Sequence, residues 1–159
     1  MKLSVIHHVA IIVSDYEVSK DFYVNKLGFP VIRENYRPQK DDWKLDLRVN
    51  DTTELEIFGV KNPPERVTNP EAAGLRHLAF HTSDIEADAA ELEAKGISVE
   101  PIRVDEFSNR KFTFFADPDG LPIDLLRPRE LEELLKKCGF QTVKTEHGPE
   151  QIICVMAQK

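Results

Sequence analysis

The chain contains one sequence unit twice, and this repeat constrains its fold more than any other feature. His8-Val-Ala-Ile-Ile-Val-Ser-Asp15 and His77-Leu-Ala-Phe-His-Thr-Ser-Asp84 match at the histidine, an alanine and the Ser-Asp pair, 69 residues apart. Further along, the spacing becomes 68 residues and stays constant. The pairs that keep this second spacing are Gly28/Gly96, Val31/Val99, Asp51/Asp119 and Glu56/Asp124. The spacing changes by only one residue over a strand, a helix and a turn, which indicates two copies of one unit, about 8–60 and 77–128.

Each copy carries the same order of local signals, which predicts a βαβββ module. An apolar run typical of a strand is followed by Ser-Asp, a typical helix N-cap, and a glycine stands just past each predicted helix. Three further strands follow in each copy. The predicted strands are 6–13, 29–37, 43–50 and 53–60 in the first copy and 75–82, 97–103, 110–117 and 121–127 in the second. The sequence therefore predicts an α+β domain over residues 1–128, with modules at about 4–60 and 75–128.

Residues 129–159 fall outside the repeat and predict a short helix–hairpin extension. Residues 129–138 have an amphipathic helical pattern that ends at Gly139. Two strands follow, one starting at Phe140 and one starting at Ile152, joined across His147-Gly148-Pro149. Because the second strand is apolar enough to aggregate when exposed, we expect the extension to cover a sheet or to form a dimer contact.

The composition excludes several classes of function. The 159 residues carry a formal net charge of −7, which argues against a general nucleic-acid-binding protein. No apolar run approaches the ~18–20 residues that cross a bilayer. Both cysteines, Cys138 and Cys154, come late in the chain and do not form a disulfide framework. We therefore expect a protein of the reducing cytoplasm that binds neither nucleic acid nor membrane.

Four residues of metal-ligand type occupy equivalent places in the two copies. His8 and His77 open the first strands, and Glu56 and Asp124 lie in the last strands. The internal twofold would bring the four together if the two sheets faced each other. A carboxylate buried among apolar strand residues is costly without a partner, and a metal ion supplies one. Two imidazoles and two carboxylates suit one divalent ion, and nickel, zinc, cobalt, manganese and iron all remain open.

Four other side chains are candidates for substrate contact. His81 lies two residues after His77 and shares its predicted face. Arg37, Lys44 and Arg110 would supply positive charge for an anionic substrate in an otherwise acidic protein. Each of the four also fits an ordinary surface or pocket-wall position, so the sequence leaves both interpretations open.

These motifs together resemble the vicinal oxygen chelate superfamily over about residues 4–128. The segments that carry the resemblance are His8-Val-Ala-Ile-Ile-Val-Ser-Asp15, Phe22-Tyr23, Leu27-Gly-Phe29, Leu55-Glu-Ile57, His77-Leu-Ala-Phe80 and Asp117-Pro-Asp-Gly-Leu-Pro-Ile-Asp124. The superfamily includes glyoxalase I, methylmalonyl-CoA epimerase, fosfomycin-resistance proteins, extradiol dioxygenases and bleomycin-binding proteins. The chain is most similar to the small bacterial glyoxalase I-like proteins. The resemblance implies paired modules around one divalent metal, assembled within one chain or across a dimer, and we expect a homodimer that binds a small molecule.

The resemblance implies a metal-dependent lyase or isomerase of the glyoxalase I (lactoylglutathione lyase) type. The His/Glu/His/Glu set of glyoxalase I corresponds to His8, Glu56, His77 and Asp124. In that reaction the metal holds an enediolate while a carboxylate moves a proton between adjacent carbons. Asp124 stands where the usual base stands, and Glu56 can share the role. The presence of Glu56 favours proton transfer over the oxygen chemistry of members with two histidines and one carboxylate.

Three positions depart from the glyoxalase I pattern. Asp124 replaces the commoner glutamate, Ile12 replaces an arginine that binds the glutathione carboxylate, and Val60 replaces an asparagine. The expected substrate is therefore a small oxygenated compound that need not contain glutathione. Two alternatives stay open: an iron-dependent extradiol-type dioxygenase, which requires Glu56 to be off the metal, and a non-catalytic protein that binds a small molecule such as an antibiotic.

Overall fold

Two four-stranded mixed sheets, one from each repeat, form the main body of the protein. The structure, a computed structural model, describes residues 3–127 and the strands of residues 142–147 and 152–158. In the first sheet the strand order is β1-β4-β3-β2, with β1 parallel to β4 and the other neighbours antiparallel. The elements are β1 (His8–Val13), α1 (Tyr16–Lys20), β2 (Val31–Arg37), β3 (Asp42–Arg48) and β4 (Glu54–Gly59).

The second module repeats this topology, with strand order β5-β8-β7-β6 and β5 parallel to β8. Its elements are β5 (Leu78–His81), α2 (Ile85–Ala94), β6 (Arg103–Val104), β7 (Lys111–Ala116) and β8 (Pro122–Leu126). The prediction of an α+β protein with two βαβββ modules is confirmed. None of the helices in the described parts of the chain is long and apolar enough to cross a membrane.

The local signals that define the repeat act in the structure as the sequence predicts. The Asp15 and Asp84 side chains accept hydrogen bonds from the backbone N–H groups three residues on and so cap the two helices. Gly28 and Gly96 have φ values of +80° and +77°, the left-handed conformation that ends a helix. The equivalent signals therefore produce equivalent turns.

Two elements differ from the sequence-based expectation. The first predicted helix is a short α-helix that continues as a π-helical segment (Asp21–Lys26). The predicted strand 97–103 is reduced to the two residues of β6, with a separate bridge between Val99 and Phe115. Pro101 explains the interruption, because it has no N–H to donate to the neighbouring strand.

The extension contains the predicted hairpin. Strands β9 (Thr142–His147) and β10 (Ile152–Gln158) pair antiparallel and form a two-stranded sheet of their own. The helix predicted over 129–138 lies outside the described residues.

One apolar core joins the two modules. It includes residues from both sheets and from all the helical segments of residues 3–127. Its fully buried side chains include Tyr23, Leu45, Leu55, Ile85 and Ile123. Each sheet turns one face toward this shared core. The polar side chains predicted for the functional site are therefore expected on the opposite face of each sheet.

A buried hydrogen bond connects the first module to the second. The Tyr23 hydroxyl, on the π-helical segment, donates to Asp117 Oδ2 at 2.8 Å, and both residues are buried. Asp117 Oδ1 accepts the N–H groups of Asp119 and Leu121 and so shapes the turn before β8. Burial raises the pKa of Asp117 above its usual range, because the charged form loses its hydration.

Replacing Tyr23 with phenylalanine is expected to lower the free energy of unfolding by about 1–3 kcal/mol, because a buried carboxylate oxygen loses its donor. Urea unfolding of the metal-free protein measures the change. Tyr36→Phe is the matched control: Tyr36 also donates to an aspartate, Asp41, but at the surface, where such changes stay within about 0.5 kcal/mol. Equal losses in the two variants would contradict the role of the buried bond.

Candidate metal centre

His8 and Glu56 form the first histidine–carboxylate pair. They lie on neighbouring parallel strands, where Glu56 is in register with Ala10, two residues after His8. The distance from His8 Nε2 to Glu56 Oε2 is 3.9 Å, and the imidazole is 44% exposed while the carboxylate side chain is 15% exposed. The pair therefore lies on the sheet face away from the core, with its histidine open to an incoming group.

His77 and Asp124 form the second pair, at the equivalent register positions of the second sheet. Asp124 on β8 is in register with Ala79, two residues after His77. The His77 ring stands edge-on to Phe114, with 5.5 Å between the ring centroids. Because both pairs follow one register rule, the repeat seen in the sequence is also a repeat of the backbone positions of the candidate ligands.

Asp124 lies in less polar surroundings than an ordinary strand carboxylate. Only 8% of the residue is exposed, and within residues 3–127 no hydrogen-bond donor reaches the buried Oδ1. Burial raises the pKa of Asp124, while the nearby charges of His77 and Arg103 act in the opposite direction. A buried carboxylate oxygen with no donor is costly to keep, and a bound cation would satisfy it.

The four candidate ligands do not converge within residues 3–127. In the described parts of the chain, no group of three or more His, Cys, Asp or Glu side chains is placed to hold a metal ion. The structure brings His8 to Glu56, and it brings His77 near Asp124. We call the His8–Glu56 pair the first half-site and the His77–Asp124 pair the second half-site.

Lys44, one of the predicted substrate contacts, is engaged with the first half-site. Its Nζ lies 2.7 Å from Glu56 Oε1 and 2.8 Å from Asp46 Oδ1. Asp46 is fully buried, and its other oxygen accepts a hydrogen bond from Arg33 Nε at 2.7 Å. The pKa of Asp46 lies below its usual range because these two cations outweigh the effect of burial.

The other three predicted substrate contacts lie in different surroundings. Arg37 makes two hydrogen bonds to Asp42, and its guanidinium lies 4.7 Å from the centre of the Phe58 ring. His81 is exposed, and with His77 it lines a largely apolar cavity of about 920 Å³ between the modules. Arg110 precedes β7, and its buried Nε makes no hydrogen bond to any residue that the structure describes.

Sequence reasoning missed Asp46 and Arg103. Asp46 alternates with Lys44 along β3 and faces Glu56 across the β3–β4 pair. A usable signal was present, since a lysine and an aspartate two residues apart share a strand face. Arg103 lies on the short strand β6, and its positive charge opposes the rise that burial causes in the pKa of Asp124. Its guanidinium lies over the Phe112 ring, 5.0 Å from the ring centre. The predicted strand 97–103 ends at Arg103, so the sequence pattern gives no reason to single out this residue.

The chain belongs to the glyoxalase/bleomycin resistance protein/dioxygenase superfamily, whose profile matches residues 5–125. It is 55% identical to the YwkD protein of Bacillus subtilis (strain 168) over 79% of this chain and 98% of that protein. It is 51% identical to the YaeR protein of Escherichia coli (strain K12) over 77% of this chain and 95% of that protein. The crystal structure of a glyoxalase family protein from Enterococcus faecalis is 56% identical, with a TM-score of 0.73 over 76% of this chain and 95% of that chain. The resemblance stated from the motifs is thus confirmed at the level of the superfamily.

Two more distant similarities are to proteins of different activity. A 2-epi-5-epi-valiolone epimerase from an Actinomyces species is 29% identical over 76% of this chain and 78% of its own length. The structure of TnmS3, an antibiotic-binding protein from Streptomyces sp. CB03234, is 28% identical, with a TM-score of 0.63 over 81% of this chain and 99% of that chain. The superfamily therefore includes enzymes and binding proteins that share this fold.

Proposed function

We propose that the protein is a metal-dependent lyase or isomerase of the glyoxalase I type, which moves a proton between adjacent carbons of a small oxygenated substrate. The observation that carries this proposal is the pair of half-sites at equivalent register, one with a buried carboxylate oxygen that no donor in the described part of the chain satisfies. Members of the superfamily with three ligands have no use for an acid at the position of Glu56. Its presence on the same face as His8 supports proton-transfer chemistry.

His8, Glu56, His77 and Asp124 are the residues that would hold the metal. Two imidazole nitrogens and two carboxylates fit a borderline divalent ion such as nickel, zinc, cobalt, manganese or iron. When bound, such an ion acts as a Lewis acid that stabilises negative charge on a substrate oxygen. The unpartnered oxygen of Asp124 fits this assignment, because a cation removes the cost of burying it.

The complete site would form between two copies of the chain. β1 and β5 each stand at the end of a sheet order and carry, or directly follow, the histidine of their half-site. The first half-site of one copy would face the second half-site of the other, and by symmetry a homodimer would contain two such sites. This arrangement supplies all four residues, which one described chain does not bring together.

In this proposal Asp124 is the base. It stands where the resemblance places the usual base, and among the described residues no donor holds its buried oxygen. With the hemithioacetal of an α-oxoaldehyde as substrate, one C–H bond breaks at the thiol-bearing carbon and one forms at its neighbour. The oxidation of the first carbon balances the reduction of the second, so no redox partner is needed. The similarity to an epimerase supports chemistry at a carbon-bound proton.

A non-catalytic binding protein is the second candidate, supported by the similarity to the antibiotic-binding TnmS3. The largely apolar cavity lined by His77 and His81 would then be the binding site. This candidate requires tight binding without turnover, and binding that survives removal of the metal.

Turnover in heavy water tests the two candidates against each other. The protein is stripped of metal, reloaded separately with each of the five ions, and given hemithioacetals of α-oxoaldehydes with glutathione and with other small thiols. We expect turnover with at least one ion and loss of turnover in His77→Ala. The product should carry deuterium at the receiving carbon only to the extent that the proton held by Asp124 exchanges with solvent before it is returned.

Three outcomes would overturn the proposal. Oxygen uptake with a catechol by the iron-loaded protein would identify a dioxygenase. Tight binding of a small molecule without turnover, unchanged by a chelator, would identify a binding protein. Turnover that persists in His77→Ala would place the chemistry elsewhere in the molecule.

A further inference from the structure

Lys44 is held in one place by three neighbours. It contacts Asp46 on its own strand and Glu56 on the next strand, at 2.8 Å and 2.7 Å. Its ammonium group also lies 5.7 Å from the centre of the Phe58 ring. The side chain is only 23% exposed, so these contacts face less competition from water than a surface ion pair does.

Asp46 is the anchor of this arrangement. It is fully buried, and its two oxygens are divided between Lys44 and Arg33. Removing either cation would leave a buried carboxylate short of a partner, which strongly opposes movement of the lysine. Lys44 is therefore a fixed charge beside the first half-site, unlike a flexible surface lysine that can reach toward a substrate.

This fixed charge orients the carboxylate of Glu56. Oε1 accepts a hydrogen bond from Lys44, while Oε2 is the oxygen that lies 3.9 Å from His8 Nε2. One oxygen is thus held by the protein and the other is directed toward the histidine. Partners of this kind set the orientation of metal-binding side chains, and their loss typically costs about 10–100-fold in metal affinity or activity.

The second half-site lacks an equivalent arrangement. The 68-residue offset of the repeat puts Phe112 and Phe114 at the places of Lys44 and Asp46. Asp124 accordingly has a buried oxygen that receives no hydrogen bond from the residues the structure describes, where Glu56 has an ion pair. The two carboxylates are equivalent in the fold but are held by different means, one by charge and one by packing.

We propose that Lys44, anchored by Asp46, is a positioning residue that presents Glu56 to the metal and keeps this carboxylate from acting as the mobile base. The inference rests on the proposed function, because it assumes a metal at His8 and Glu56. It assigns the chemistry to Asp124 alone and gives Glu56 a holding role. It also gives Lys44 a task other than binding the substrate.

Metal affinity of the full chain tests this proposal. Dissociation constants for cobalt(II) and zinc are measured by competition with a chromophoric chelator for the wild type, Lys44→Met and Lys44→Arg, and the visible spectrum of the cobalt(II) form is recorded for each. Lys20→Met is the matched control. It breaks a Lys–Glu pair with Glu34 in the same module, with contacts of 2.7 and 2.8 Å, away from the half-site.

We expect Lys44→Met to weaken metal binding by about 10–100-fold and to change the cobalt spectrum. Lys44→Arg should restore most of the affinity, because arginine can also contact both carboxylates. Lys20→Met should bind as the wild type does. Urea unfolding of the metal-free variants separates loss of affinity from loss of fold.

Tighter metal binding in Lys44→Met would overturn the inference, since it would mean that the lysine only competes with the metal for Glu56. An unchanged affinity and spectrum would also overturn it. His77→Ala keeps the two failures apart: if His77→Ala loses the metal while Lys44→Met does not, the positioning role is wrong and the proposed metal centre stands. If His77→Ala retains wild-type affinity, the metal centre itself is wrong.

Discussion

Replacing Asp124 with leucine is expected to stabilise the metal-free protein and, in the same variant, to remove tight metal binding. The residue is 8% exposed, and one of its oxygens is buried with no donor among residues 3–127, so its removal should raise the free energy of unfolding by about 1–3 kcal/mol. Leucine is apolar and of similar shape, and it would pack beside Phe114, the cross-strand neighbour of Asp124. Metal affinity should fall by more than the ~100-fold upper cost of losing an outer partner. Urea unfolding and chelator competition measure the two effects.

Asp117→Leu is the matched control, and it should change stability in the opposite direction. Asp117 is also a buried aspartate before the same strand, but its oxygens accept hydrogen bonds from Tyr23, Asp119 and Leu121. Its replacement leaves three donors without an acceptor and should destabilise the protein by several times the ~1 kcal/mol of a single bond. Destabilisation of similar size in both variants would show that Asp124 is structural, and would contradict its assignment as a metal ligand.

The repeat explains why so much of the fold could be predicted from one sequence. Each module needs only local information: an aspartate that caps a helix, a glycine that ends it, and a turn built around Asn50 or Asp117. These signals act over a few residues and occur twice, so each copy supports the interpretation of the other. Strand β6 is the exception. The apolar pattern alone predicts a longer strand, but Pro101 interrupts it.

Half of the candidate site could also be predicted in this way. Alternation along a strand puts His8 and Glu56 on one sheet face once β1 and β4 are known to pair, and the repeat extends this to His77 and Asp124. Whether the two pairs meet within one chain depends on how the modules pack, and strand periodicity contains no information about that packing. The structure describes them as separate half-sites.

The role proposed for Lys44 could not be predicted from the sequence alone. From the sequence it is one cation among several in an acidic protein. The contacts of Lys44 depend on the β3–β4 register, which places Asp46 opposite Glu56, and on the burial of Asp46. Both are tertiary properties. Lys44, which the sequence offers as a substrate contact, is therefore a partner of the predicted ligand Glu56 in the structure.

Mixing two inactive variants should restore part of the metal binding, and this is the second large effect expected. A site shared between copies combines His8 and Glu56 of one chain with His77 and Asp124 of the other. In a heterodimer of His8→Ala and His77→Ala chains, one site carries both substitutions and the other carries neither. Chains with different affinity tags, co-expressed and purified through both tags, isolate this heterodimer.

The control pairs two substitutions in the same module. In a heterodimer of His8→Ala and Glu56→Ala, each site lacks one residue of the first half-site, so neither site is intact. It has the same number of altered chains and the same tags, and it differs only in where the second substitution lies. Any recovery caused by mixing alone would therefore appear in both heterodimers.

The metal content of the His8→Ala/His77→Ala heterodimer is the most direct test of the central claim, that four residues from two copies hold one divalent ion. The homodimer of either variant is expected to bind almost no metal. The heterodimer is expected to recover about half of the wild-type content, with one intact site of two, while the His8→Ala/Glu56→Ala control recovers none. Failure of the His8→Ala/His77→Ala pair to recover metal, or failure of the tagged chains to associate at all, would contradict a site shared between two copies.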